Sequence, residues 1–62
     1  MKEYKYIKFK DLPVGTIFWD YEEEEQGDRF IKVSETSSMN YPGKSYEVSW
    51  DGDIVMSVEN EI

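Results

Sequence analysis

The sequence predicts an all-β domain, either a small antiparallel barrel or a strongly curved five-stranded sheet. Two observations carry this reading. Five short runs are rich in β-branched and aromatic residues, and the turn residues between them are closely spaced. The chain has 62 residues, enough for a single domain over 1–62, and it shows neither an internal repeat nor a linker.

The first strand is read over Tyr4–Phe9, with Ile7 and Phe9 turned inward and Tyr4, Tyr6 and Lys8 on the opposite face. A corner follows at Lys10–Gly15. Pro13 fixes its φ and Gly15 frees its own, so a turn is expected there in preference to one turn of helix. Leu12 and Val14 should tuck beneath the bend. Thr16–Tyr21 is the second strand, apolar on both faces, with Phe18 on one and Ile17, Trp19 and Tyr21 on the other. A strand of that kind is central to a barrel or part of an interface. Glu22, Glu23, Glu24 and Glu25 then break the pattern, because adjacent like charges repel, and read as a loop tip.

Arg29–Ser34 resumes as the third strand, with Ile31 and Val33 opposite Phe30. Glu35–Lys44 has the composition of a loop, with Met39 plugging the bottom of the core. Pro42 and Gly43 suit a type II turn over Tyr41–Lys44. Tyr46–Trp50 and Ile54–Val58 then read as a hairpin about Asp51, Gly52 and Asp53. A three-residue loop faces Trp50 with Ile54, Val48 with Met56 and Tyr46 with Val58, which gathers the large apolar residues on one face. Turn chemistry favours a two-residue Asp-Gly loop instead, but the apolar pattern is followed here. Asn60–Ile62 should fray.

Composition narrows the function. A domain this short buries only ~60% of the surface its unfolded chain exposes. Cys and His are both absent, so no disulfide supports the fold and no Cys or His site for zinc, haem or iron–sulfur can form. Ten aromatic rings exceed what one small core holds, and some are expected at the surface, where Tyr and Trp anchor contacts. The net charge is −7, and four of the seven basic residues fall within Met1–Lys10. Such a surface repels phosphates, so direct nucleic-acid binding is not expected. A basic protein partner suits it. No run approaches the ~20 apolar residues of a membrane span, and lysines interrupt any signal-peptide core, so the expected compartment is the cytosol.

Catalysis is not expected, since the usual base and thiol nucleophile are missing and a single small barrel offers no cleft that excludes water. Asp51, Gly52 and Asp53 read as a turn; the twelve-residue ligand spacing of a calcium loop is missing, and no metal or cofactor is expected. The acidic run is either a solvated loop tip or, with Asp20 and Asp28, an imitation of a phosphate track that occupies a basic groove on its target. With Phe18 inward, Trp19 and Tyr21 face outward beside that run, needing cover from a second copy or a target, unless strand curvature folds Trp19 into the core.

Two resemblances add to this. Trp19, Asp20, Tyr21 and Glu22, followed by an acidic loop, resemble the aromatic–acidic opening of Src-homology-type peptide-binding barrels. That likeness implies an SH3-like barrel with a groove for Pro-rich, basic peptides, lined by Tyr21, Glu23, Glu24 and Trp50. The pattern Phe9…Leu12…Val14-Gly15…Phe18, then Phe30-Ile31-Lys32-Val33, then a segment ending in Val58, resembles small acidic bacteriophage proteins. That likeness implies an inhibitor of a host protein. The expected function is therefore a non-enzymatic acidic binding protein, in its specific form a phage-encoded mask for a basic nucleic-acid-binding surface of a host protein; the alternative is a peptide-binding module. The expected contact residues are Trp19, Asp20, Tyr21, Glu22, Glu23, Glu24, Glu25, Asp28 and Trp50, and a homodimer is open.

Overall fold

A computed structural model of the chain describes residues 3–21 and 27–60. Its strands are β1 (Glu3–Lys8), β2 (Ile17–Asp20), β3 (Arg29–Lys32), β4 (Ser37–Tyr41), β5 (Glu47–Ser49) and β6 (Val55–Asn60). They form a single six-stranded sheet in the order β1-β6-β2-β3-β4-β5, and every neighbouring pair is antiparallel. The domain is all-β, as the sequence predicts, with one strand more than expected. Among the described residues β1 and β5 do not pair, so the sheet stays open. Its ends nevertheless curl together. Trp50, just past β5, packs on Phe9, just past β1, with ring centroids 6.4 Å apart.

Alternation along each strand sorts the side chains onto two faces. The concave face holds Phe18, Phe30 and Met56, joined by Phe9 and Leu12 from the corner; Ile7, Val48, Trp50 and Val58 pack around them. The outer face carries Ile17, Trp19, Arg29, Ile31, Met39 and Tyr41, aligned by the β2–β3 and β3–β4 registers. Met39 therefore faces away from the core it was expected to plug.

The corner is more ordered than a plain turn. Phe9–Asp11 form one 3-10 turn, closed by the Leu12 N–H donating to the Phe9 carbonyl at 3.1 Å. So the single turn of helix does form. Gly15 sits at φ +98°, a conformation that L side chains resist, and its N–H donates to the Lys32 carbonyl at 2.7 Å. Lys32 is 3% exposed, and its Nζ donates to the carbonyls of Phe9 at 2.8 Å and Leu12 at 2.7 Å. The ammonium also lies 4.5 Å from the Phe9 ring centroid. A buried cation thus satisfies the Leu12 carbonyl and adds a second donor to that of Phe9, as buried polar groups require. Leu12 is buried as expected, but Val14 is 63% exposed because the bend carries it outward.

Two further expectations are corrected. The segment read as a loop contains β4, whose Ser38 Oγ accepts the Trp50 Nε1–H at 2.6 Å inside the protein. The type II turn is absent: the Tyr41–Pro42 bond is cis, and the positive φ falls on Lys44 (φ 53°) rather than Gly43. Asn40 organises that loop, its Oδ1 accepting the N–H groups of Ser45 at 2.7 Å and Tyr46 at 3.0 Å. The closing hairpin does not form either. β5 pairs with β4, whereas β6 lies between β1 and β2. Placed centrally, β6 satisfies its backbone groups on both sides, which a local hairpin would not have done. Asp51–Ile54 still make a tight turn, with the Ile54 N–H on the Asp51 carbonyl at 3.1 Å and the Asp53 N–H on Asp51 Oδ1 at 2.9 Å.

Candidate functional site

The end of β2 and the start of β6 diverge beside the Asp51–Ile54 turn. The gap is a cleft of about 280 Å³ lined by Asp20, Tyr21, Trp50, Ile54 and Val55. Trp50 is the fixed wall. Its indole is held by Ser38 and by ring contacts with Phe18 at 6.2 Å and Phe30 at 5.4 Å. Tyr21 is the exposed wall, 51% accessible, and stacks edge-on against Tyr6 with centroids 5.1 Å apart. Ile54, 38% exposed, adds aliphatic surface, and Asp20 adds a carboxylate. Two aromatic walls with one acid at the rim suit an apolar or cationic side chain. Close by, the exposed Lys10 Nζ and Asp53 Oδ1 pair at 3.2 Å, bracing the turn that carries Ile54.

Of the residues singled out in the sequence, Asp20, Tyr21 and Trp50 come together here. Glu22, Glu23, Glu24 and Glu25 lie outside the described residues. Asp28 is elsewhere, its Oδ2 accepting the Tyr46 hydroxyl at 3.2 Å. Trp19 faces away from Phe18, as expected, but it is only 8% exposed. Tyr4 packs edge-on against it at 5.9 Å, and the Arg29 guanidinium lies 6.0 Å from the Trp19 ring and 5.4 Å from that of Tyr41. Neighbours on its own sheet cover this indole, so it neither joins the core nor stands exposed as a docking residue. A hollow of about 220 Å³ remains between Ile17, Trp19, Arg29 and Glu59.

Ile54 and Val55 were missed as site residues because the hairpin reading turned Ile54 inward. The signal was their place directly after the Asp-Gly-Asp turn. Among the described residues no group of three or more Asp or Glu side chains is placed to hold a metal ion. Among the same residues no helix is long and apolar enough to cross a membrane. Comparison with family models, with curated proteins and with solved structures finds no match.

Proposed function

We propose that this chain is a non-enzymatic acidic binding protein that takes a basic segment of a partner protein into the Asp20–Tyr21–Trp50 cleft. The observation that supports the reading is the convergence of those three residues on one cleft with Ile54 and Val55. Apolar walls of this kind favour a side chain with an aliphatic stem, and Asp20 favours a positive tip. The net charge of −7 draws such a partner in from a distance. In its specific form the protein is a phage-encoded inhibitor that masks a nucleic-acid-binding surface of a host protein, since such surfaces are basic. In its general form it is a peptide-binding module.

Short extended peptides, basic, neutral and acidic, separate these outcomes. Basic peptides with apolar residues should bind, and Tyr21→Ala and Asp20→Asn should each abolish binding while the melting temperature holds. Binding that ignores both substitutions would overturn the cleft reading. Raising ionic strength then sorts the two forms. Surface masking driven by charge weakens steeply, whereas recognition by the aromatic walls changes little.

A further inference from the structure

Among the described residues, the cleft between β2 and β6 is rich in apolar surface and poor in hydrogen-bond acceptors. Trp50 spends its one polar side-chain atom elsewhere, since its Nε1–H donates to the fully buried Ser38 Oγ at 2.6 Å. The indole therefore gives the cleft hydrocarbon and ring surface alone. Ile54 and Val55 bring aliphatic side chains, and the Ile54 carbonyl already accepts the Phe9 N–H at 2.9 Å. Tyr21 adds a second ring and one hydroxyl; it is 51% exposed and steadied edge-on by Tyr6 at 5.1 Å. Asp20 is the only charged residue of the described lining, and it has a further interaction of its own. A ligand thus meets at most part of its capacity to accept. At about 280 Å³ the cleft falls short of the ~300–1,000 Å³ of sites for drug-sized ligands, which suits a single side chain.

We infer that the side chain this cleft takes is a lysine carrying two or three methyl groups on Nζ. The inference rests on the reading of the cleft as the site for a basic segment. An unmethylated ammonium is compact, strongly hydrated and carries three donors. Inside this lining it gives up water and finds too few acceptors, so its N–H groups go unmatched. Methylation keeps the positive charge and replaces those donors with methyl groups. The modified head then matches what the cleft offers: two aromatic rings that attract a cation, aliphatic contact from Ile54 and Val55, and a carboxylate at the rim. Arginine fits worse, because its five donors in a fixed fork call for a bidentate acid partner. The net charge of −7 favours all of these cations equally, so it draws the segment in without choosing among them. The choice is made by Tyr21 and Trp50.

The test is a basic, extended peptide made in forms that differ only at a central residue. That residue is lysine, its dimethyl or trimethyl form, arginine, or a neutral analogue with a tert-butyl group in place of the trimethylammonium. Calorimetric titration should show both methylated forms binding ~10-fold tighter than unmodified lysine. The neutral analogue should bind no better than lysine, because the rings act on the charge. Tyr21→Leu keeps an apolar wall but removes the ring, and should erase the preference. Tyr21→Phe should retain it, and both variants should melt as the parent does. Equal binding of lysine and its methylated forms would overturn the inference while leaving the basic-segment reading in place. So would tightest binding by arginine, a neutral analogue that matches the trimethyl form, or a preference that survives Tyr21→Leu. Failure of every form to bind would overturn the basic-segment reading as well.

Discussion

On the concave face of the sheet Phe9, Phe18 and Met56 are fully buried, whereas among the described apolar residues of the outer face only Trp19 falls in the buried class. The concave face is sealed by elements that come from outside the sheet: the corner brings Phe9 and Leu12 over it, and Trp50 closes it from the far end. Among the described residues the outer face has no such lid. It covers itself, with Arg29 laid between Trp19 and Tyr41 and Tyr4 standing edge-on to the indole. The difference is one of water. A dry cluster pays the full cavity cost when an atom is removed, and a half-wet one lets solvent fill part of the gap.

Substitutions can break or sharpen that comparison. The largest effect is expected for Phe18→Ala, about 4 kcal/mol for a buried ring, which is close to the whole stability of so small a domain. Its far-ultraviolet spectrum should be that of an unfolded chain at room temperature. Trp19→Ala, although it removes a larger ring, should cost less, about 3 kcal/mol, because its neighbours can settle onto the sheet. Urea denaturation is the check: Trp19→Ala should keep a cooperative transition and Phe18→Ala should show none. A Trp19→Ala chain that is also unfolded would mean that the outer face is a second dry core.

Lys32→Met tests what seals the concave face. The thioether fills the space but leaves the Leu12 carbonyl without its Lys32 donor and the Phe9 carbonyl with only the Leu12 N–H, while it relieves the burial of a charge. A net loss of about 2 kcal/mol is expected, with the amides near the corner exchanging faster. No change would show that those carbonyls find water instead. The smallest effect belongs to Arg29→Ala, about 1 kcal/mol for two half-exposed cation–ring contacts. A rise in Trp19 exposure to an aqueous fluorescence quencher should accompany it.

The comparison also explains what could be read from the sequence. The strands that line the core with aromatic and β-branched residues were legible, and so was the sorting of Phe18 from Trp19 and of Phe30 from Ile31. β4 was not. Its run of Ser37, Ser38 and Asn40 looks like a loop because those side chains have internal polar duties, to Trp50 and to the turn before Tyr46. The polarity that disguised the strand is what the fold needed there. The hairpin failed for a different reason. The pattern placed Val48, Trp50, Met56 and Val58 against one core correctly, but a shared face does not specify adjacent strands. Long-range pairing with β1 and β2 was the stronger competitor for β6. At the cleft, Asp20, Tyr21 and Trp50 could be named because an aromatic next to an acid is an unusual surface pairing. Ile54 could not, since its exposure depends on how the chain leaves the Asp51 turn.

Lys32 also makes the molecule a recorder of its own opening. Lys5, Lys8, Lys10 and Lys44 are exposed and should be acylated promptly by an amine reagent, whereas the Lys32 ammonium is held between two carbonyls and a ring. It reacts only in molecules whose corner has lifted. Where opening and closing outpace the reagent, the label accumulating on Lys32 counts the open fraction directly, one molecule at a time. Peptide mass spectrometry of the labelled chain would then give the population of the opened corner in solution from a single side chain, with no residue substituted.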